Sequence, residues 1–271
     1  MISELIQYII LGITQGIFEW LPISSEGALF LINANLFNNT NLDLIIRQAL
    51  FLHLGTFLAA LIYFRTQVWK LTKAIFNYKK SSTETKKVFN FLLITTIITA
   101  VLGLIILVGL KSLEQYFELS GTIITFAIGL LLLFTGIIQI KASKQNLKLK
   151  KSKDLQTKDS IALGLMQALA VLPGVSRSGT TVSTLLLKKF NDTTALKLSF
   201  LMSLPIVFLG NIVLAIEDVA ITSYSLVGLL FSFIFGITTI HLLLKFSKKI
   251  NFGYFVLIFA ILVLLAGFFL I

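Results

Sequence analysis

Apolar runs dominate the sequence and limit the folds open to it. They lie at residues 5–18, 28–37, 49–64, 88–110, 121–140, 161–172, 179–187, 195–216, 225–244 and 252–271. A helix needs roughly 20 apolar residues to cross a bilayer, and the runs nearest that length are 49–64, 88–110, 121–140, 195–216, 225–244 and 252–271. With 56% hydrophobic and 13% charged residues, a soluble enzyme, a disordered chain and a nucleic-acid-binding domain are excluded. We predict an all-α integral membrane protein with these six transmembrane helices.

The four shorter runs form two pairs, and each pair is interrupted by a stretch rich in Pro, Ser and Gly. Broken apolar segments of this kind are typical of re-entrant helical hairpins. We therefore predict hairpins over 1–37 and 161–187. Pro22, Pro173 and Pro205 are the only prolines, and we expect each to mark a point where a helix stops at membrane depth.

Loop charge predicts the orientation in the plasma membrane. Segments 65–87 and 141–160 each carry seven Lys or Arg, whereas 217–224 carries only two acids. Basic loops stay in the cytoplasm, so the net charge of +11 reflects topology and not nucleic-acid binding. Threading the chain on this basis places both termini outside and makes the two hairpins enter from opposite faces.

The hairpins also share a sequence pattern. Four residues recur at an offset of 152, namely Gly12, Gln15, Ser24 and Gly27 as Gly164, Gln167, Ser176 and Gly179. Together with the opposed topology, this pattern predicts an inverted repeat of 1–140 and 141–271 within a single membrane domain of residues 1–271. In such repeats the site lies at the pseudo-two-fold axis, near mid-membrane.

Arg177 is the foremost candidate for chemistry, because the chain has only three arginines and this one lies in a turn between apolar runs. A charge at membrane depth is usually functional, and a guanidinium can grip two phosphate oxygens at once. The alternative is a structural pair with a buried carboxylate such as Glu19. Hydroxyl and backbone N–H donors surround Arg177 and favour an anion site; they belong to Gly174, Ser176, Ser178 and Gly179.

The first hairpin supplies the acids and hydroxyls. Glu19 follows Gln15 by one helical turn, so both share a face, and this carboxylate could hold a divalent cation, act as a base or orient a hydroxyl. Ser24 and Ser25 follow Pro22, where such serines are usually helix caps. Opposite Arg177, one of them becomes a candidate nucleophile. The chain has no cysteine, which excludes thiol chemistry.

Two motifs resemble the signatures of the undecaprenyl-diphosphatase family, the bacitracin-resistance membrane phosphatases. The first is Gln15-Gly-Ile-Phe-Glu19-Trp-Leu-Pro22-Ile-Ser24-Ser25-Glu-Gly27, and the second is Pro173-Gly174-Val-Ser176-Arg177-Ser178-Gly179-Thr-Thr181. The stretch that begins at His53 matches a third, weaker one. The resemblance implies six spanning helices with two re-entrant hairpins. It also implies a hydrolase that removes the terminal phosphate of polyprenyl diphosphate, which regenerates the lipid carrier for peptidoglycan or other surface glycans.

The resemblance further implies site residues and a cofactor. Glu19, Ser25 and Arg177 would be catalytic, and the substrate-binding candidates are Gln15, Ser24, Gln167, Gly174, Ser176, Ser178, Gly179 and Thr181. A divalent cation, Mg²⁺ or Ca²⁺, is expected, with Glu19 as the candidate ligand.

One position departs from the family signature, which continues with a histidine where this chain has Ala28. Alanine cannot transfer a proton. Either Ser25 and Glu19 suffice, or Glu26 or His53 takes over the acid/base role, or the chain is not a phosphatase. In the last case the alternative function is a non-catalytic polyprenyl-phosphate transporter or flippase.

Overall fold

The computed structural model describes residues 3–114, 150–171, 175–215 and 222–247, with further single positions and short stretches between 126 and 141 and between 254 and 265. The long described segments form α-helices and short 3-10 turns, and their one β-type contact is an isolated bridge between Lys150 and Phe190. The α-helices of these segments are α1 Glu4–Phe18, α2 Ser25–Leu36, α3 Leu42–Tyr63, α4 Arg65–Phe76, α5 Thr83–Glu114, α6 Thr157–Ala168, α7 Arg177–Leu187, α8 Asp192–Ala215 and α9 Ser223–Phe246. The all-α prediction is confirmed.

Four described helices, α3, α5, α8 and α9, are long and apolar enough to cross a membrane. Their apolar segments are Asp43–Tyr63, Thr83–Gly109, Asp192–Ile212 and Ser223–Phe246. On α5, Ile97, Val101 and Ile105 follow one another at intervals of one turn and are each more than half exposed, as expected of a face in contact with lipid. The predicted spans 121–140 and 252–271 lie largely outside the described residues.

Two predicted boundaries differ from the observed ones. The helix expected to begin at 49 begins at Leu42, because the side chain of Asn41 caps it by accepting the Leu44 N–H at 3.1 Å. The basic segment 65–87 is not a loop throughout, since α4 and the first residues of α5 lie within it.

Pro205 does not stop a helix. Helix α8 runs through it without a break from Asp192 to Ala215, so this prediction was wrong. A proline inside a membrane helix is tolerated where neighbouring polar groups and packing compensate for the missing N–H. Pro22 does lie in the turn between α1 and α2, and Pro173 is outside the described residues.

Helices α1 and α9 pack closely through glycines. A methyl group on Gly12 would lie 2.2 Å from the Gly228 carbonyl oxygen, and one on Gly16 would lie 2.7 Å from that of Ser232. Small residues allow this approach, as is usual between membrane helices. The residue numbers of the contacting pairs increase together along the two helices. Helices α1 and α9 are therefore parallel.

Helices α5 and α6 form a second close, parallel pair. Thr99 Oγ1 donates to the Gly164 carbonyl at 3.1 Å, and a methyl group on Gly103 would approach Val171 to 3.2 Å. Gly12 on α1 and Gly164 on α6 are also the first pair of the 152-residue repeat, so both face the packing partner of their hairpin.

Ring contacts and hydrogen bonds fix the direction of the remaining helices. Phe57 stacks with Phe208 and Phe64 contacts Phe200, so α3 and α8 are antiparallel. Tyr63, the last residue of α3, contacts His241 near the end of α9. The end of α3, the end of α9 and the start of α8 therefore lie at the same end of the molecule.

Candidate functional site

The second helix of each hairpin begins with a serine cap. Ser24 Oγ accepts the Gly27 N–H at 3.1 Å at the start of α2. Ser176 Oγ accepts the Gly179 N–H at 3.0 Å at the start of α7. Both serines have the Ncap geometry expected of this residue type. The caps make Ser25 and Arg177 the first residues of their helices.

Glu19 is the centre of a buried polar cluster between the hairpins. It follows the last residue of α1, and only 6% of it is exposed. Its Oε2 accepts hydrogen bonds from Gln15 Nε2 at 3.0 Å and Ser25 Oγ at 2.9 Å, and it lies 3.0 Å from His53 Nε2. Its Oε1 is 2.5 Å from Arg177 Nη2. The carboxylate thus joins α1, α2, α3 and α7.

His53 has an acceptor at each ring nitrogen. Nδ1 is 2.6 Å from the Ala49 carbonyl oxygen, and Nε2 faces the Glu19 carboxylate. A neutral imidazole carries only one N–H, so this pattern suits the imidazolium, in which both nitrogens donate. With His53 protonated, the His53–Glu19–Arg177 group carries a net charge of +1.

Three groups hold the Arg177 side chain in place. Its Nη2 pairs with Glu19, its Nη1 is 3.4 Å from the Ser199 carbonyl oxygen, and its guanidinium carbon lies 5.8 Å from the centre of the Trp20 ring. The side chain is 15% exposed. A guanidinium over an indole is a favourable cation–π arrangement. Neither Trp20 nor Ser199 was identified from the sequence. Trp20 had one sequence signal, its position directly after Glu19, and Ser199 had none.

The hydroxyls of α7 connect the two hairpins. Ser178 Oγ donates to the Leu21 carbonyl and lies 3.2 Å from Ser176 Oγ. Thr181 Oγ1 donates to the Arg177 carbonyl at 2.8 Å and lies 2.6 Å from Ser199 Oγ. These side chains therefore position Arg177 and the turn that carries Glu19.

Two of the predicted binding residues are not placed with the cluster. Gln167 donates to Thr99 Oγ1 at 3.3 Å and has no hydrogen bond to the Glu19 cluster in the described part of the chain. Gly174 lies outside the described residues. Gln15 and Gln167 nevertheless share one property, since each has a buried side-chain carbonyl without a partner in the described structure.

The structure separates the two candidates for the missing histidine. Glu26 is exposed in the first turn of α2. Among the described residues no hydrogen bond or ion pair connects it to the cluster, although its charge is near enough to interact with His53 and Glu19. His53 contacts Glu19 directly. Ala28 is 4% exposed and lies one turn after Ser25.

The arrangement around Glu19 does not fit a metal held by protein carboxylates. Its two oxygens already face Gln15, Ser25, His53 and Arg177, whereas Mg²⁺ and Ca²⁺ need several oxygen ligands. Within the described residues no group of three or more His, Cys, Asp or Glu side chains could hold a metal ion.

The fold and the cluster define a class, namely helical membrane proteins with an arginine- and serine-containing site between two short hairpins. The family model for the bacitracin resistance protein BacA matches residues 8–265, and the chain belongs to this family.

Several curated relatives are similar over nearly the full length. An undecaprenyl-diphosphatase of Methanococcoides burtonii is 41% identical and covers 93% of this chain and 94% of its own. Proteins of the same name from Haloarcula marismortui and Saccharolobus solfataricus are 36% and 35% identical. The alignments cover 90% of both chains for the first, and 96% of this chain and 94% of the relative for the second.

Proposed function

We propose that the protein is an undecaprenyl-diphosphatase, which hydrolyses polyprenyl diphosphate to the monophosphate and inorganic phosphate. The observation that carries this proposal is the position of the Glu19 carboxylate between a serine hydroxyl and a guanidinium. Ser25 Oγ is 2.9 Å from one oxygen of this carboxylate, and Arg177 is 2.5 Å from the other. A nucleophile and a phosphate-binding cation thus both contact the same proton acceptor.

Binding of the diphosphate uses the charge of the cluster and the two helix starts. Arg177 offers a planar fork to phosphate oxygens, and the His53 imidazolium supplies a second positive charge. Helices α2 and α7 both begin at the site, so their first-turn N–H groups and positive dipole ends favour an anion there.

In the reaction, Ser25 Oγ attacks the terminal phosphorus and its proton passes to Glu19. The bond between that phosphorus and the bridging oxygen breaks, and polyprenyl monophosphate leaves. Water then attacks the phosphoserine, the bond between phosphorus and Ser25 Oγ breaks, and Ser25 Oγ takes back the proton from Glu19 as inorganic phosphate leaves. Arg177 and the His53 imidazolium stabilise the negative charge of the transferring group.

Dependence on Mg²⁺ or Ca²⁺ is a separate part of the proposal, and none of these steps requires it. We expect that Glu19 does not bind the cation. Phosphate release measured with and without a chelator shows whether the reaction depends on a divalent cation.

The site lies on a scaffold that we propose to be an inverted repeat with six spans and two opposed re-entrant hairpins. In its support, the serine caps of α2 and α7 are 152 residues apart, and both hairpins begin with a helix in a close, parallel pair, α1 with α9 and α6 with α5. We propose a plasma-membrane location with the basic segments in the cytoplasm and both termini outside. In this cysteine-free chain, an impermeant maleimide should label Thr40→Cys in intact cells but not Lys80→Cys.

The activity test uses purified protein in detergent with a C55 diphosphate. The wild type and the control Arg65→Ala, which changes an exposed arginine, should release phosphate. Ser25→Ala and Arg177→Ala should reduce release by at least 100-fold. Release unaffected by Arg177→Ala overturns the assignment, and lipid translocation in liposomes without phosphate release would favour the non-catalytic transporter.

A further inference from the structure

A polar pocket lies away from the Glu19 cluster. It is an open depression of about 320 Å³ in which Gln67, Lys197, His241 and Lys245 are exposed, and its volume is at the lower end of the range of about 300–1,000 Å³ for small-molecule sites. Four helices form it: the end of α3, the start of α4, the first turns of α8 and the last turns of α9. Its lining residues are Tyr63, Phe64, Gln67, Thr193, Lys197, His241, Leu244 and Lys245.

The lining has the chemistry of an anion site. Two ammonium groups, from Lys197 and Lys245, share the pocket with the His241 imidazole, and none of the eight described lining residues is acidic. Asp192, at the start of α8, is not part of the lining. Hydroxyl and amide donors of Tyr63, Thr193 and Gln67 complete the polar surface. Mixed ammonium and hydroxyl donors of this kind suit phosphate oxygens.

Two contacts fix the hydroxyls of the pocket. Tyr63 Oη lies 3.3 Å from His241 Nδ1, and Thr193 Oγ1 lies 2.9 Å from Ser247 Oγ. The lysines have no ion-pair partner in the described structure, although Lys245 Nζ lies 5.6 Å from the centre of the Phe246 ring. Positive charge in the pocket is therefore not neutralised by the described protein groups around it.

A layer of aromatic rings separates this pocket from the Glu19 cluster. Phe64 lines the pocket, its ring is 6.4 Å from that of Phe200, and the Phe200 ring is 4.9 Å from that of Trp20, which in turn lies against Arg177. Trp20, Phe64 and Phe200 are each at most 2% exposed. An anion in the pocket therefore does not contact Arg177, and the pocket is a site of its own.

The pocket lies at the basic end of the molecule. Tyr63 is ten residues after His53 on α3, a distance of about 15 Å along a helix. Neighbouring segments at this end are held together, since Lys87 Nζ donates to the Lys153 carbonyl at 2.6 Å and the Asn191 N–H donates to the Lys150 carbonyl at 3.1 Å. A polar pocket at the ends of spanning helices lies at headgroup level, where lipid phosphates and aqueous phosphate both reach it.

From this geometry we propose that the pocket binds a phosphate group, carried either by an anionic lipid headgroup or by free inorganic phosphate. Lys197 and Lys245 pair with its oxygens, and the Tyr63–His241 pair donates a further hydrogen bond. The proposal goes beyond the phosphatase reaction and does not depend on it.

The test compares two variants that remove the same charge from the same end of the protein. Lys197→Gln/Lys245→Gln changes the pocket, and Lys79→Gln/Lys80→Gln changes two exposed lysines outside it. Inorganic phosphate is titrated calorimetrically onto protein in phosphatidylcholine nanodiscs, and phosphatidic acid binding is measured by native mass spectrometry. Thermal unfolding of each variant confirms that it is folded.

We expect the pocket variant to lose at least tenfold in affinity for one of these probes, and the control variant less than twofold. Loss confined to free phosphate identifies the aqueous ligand, and loss confined to phosphatidic acid identifies the lipid headgroup. Equal losses of affinity in both variants would mean that anion binding depends only on the net charge of the protein, which would overturn the proposal. Binding that survives in the pocket variant but disappears in Arg177→Ala would assign the anion to the Glu19 cluster, and no binding of either probe also refutes the pocket.

Discussion

Glu19→Gln is the most informative single change, because it keeps the shape of the side chain and removes its charge. The wild-type carboxylate faces four donors, Gln15, Ser25, His53 and Arg177. A glutamine offers one acceptor oxygen and one NH₂ group. If the oxygen faces Arg177, the NH₂ group meets the other three donors, and in the opposite orientation it meets the guanidinium.

The magnitude follows from the bonds that are lost. At least two charge-assisted hydrogen bonds disappear, each contributing about 1.5–3 kcal/mol. The loss also leaves buried cations without a counter-charge, for which removal of one partner typically costs about 3–5 kcal/mol. We therefore expect the free energy of unfolding to fall by about 3–5 kcal/mol. Phosphate release should fall by about 10²–10⁴-fold, the usual contribution of a general base.

The assay measures thermal unfolding and phosphate release per folded molecule in the same detergent preparation. Glu84→Gln is the matched control, since it makes the same chemical change on an exposed carboxylate in the first turn of α5, outside the cluster. We expect it to change stability by less than about 0.5 kcal/mol and activity by less than twofold. A Glu19→Gln protein with wild-type stability would refute the charge argument. One that is destabilised but fully active per folded molecule would make Glu19 structural only.

Four further changes test other parts of the structure. Ser25→Ala should prevent the phosphoserine intermediate, and a trapped phosphoprotein in this variant, detected by mass spectrometry, would exclude Ser25 as the nucleophile. His53→Gln should lower phosphate release by at least tenfold, whereas wild-type release would show that His53 does not stabilise the transferring group. Ala28→His should destabilise the protein by about 1–3 kcal/mol, because the site is buried and overpacking strains it, without raising release; a large gain would mean that the native site lacks its acid. Gly12→Leu, with a side chain pressed against Gly228, should lower the unfolding temperature in detergent, and an unchanged temperature would contradict the α1–α9 packing.

Part of the site could be predicted from the sequence because the two signatures keep a fixed spacing. Ser24 and Ser176 both cap helices. Three predicted site residues also meet, since Ser25 of the first hairpin and Arg177 of the second both contact Glu19. Gln167 shows the limit of this reasoning. It repeats the position of Gln15, but it bonds Thr99 on α5, because what faces a residue depends on the neighbouring helix and not on its own spacing.

The fold shows the same division between local and tertiary information. Long apolar runs predict the spanning helices, but α3 begins before its apolar run, because Asp43, Arg47 and Gln48 interrupt the apolar residues of its first turns and only the Asn41 cap marks its start. Pro205 does not stop α8, because the surrounding packing allows this helix to continue. The contacts of Ser199 with Arg177 and Thr181 depend on how α8 crosses α7, and no local pattern contains that information.

The bond between Glu19 and Arg177 has a consequence for turnover. The guanidinium already holds a tethered anion, so an incoming phosphate must displace one carboxylate oxygen, while the other keeps its bond to Ser25. After the reaction, the same carboxylate competes with inorganic phosphate for Arg177 and speeds its departure. Product inhibition should accordingly be weak in the wild type and stronger in Glu19→Gln, where no internal anion remains to compete.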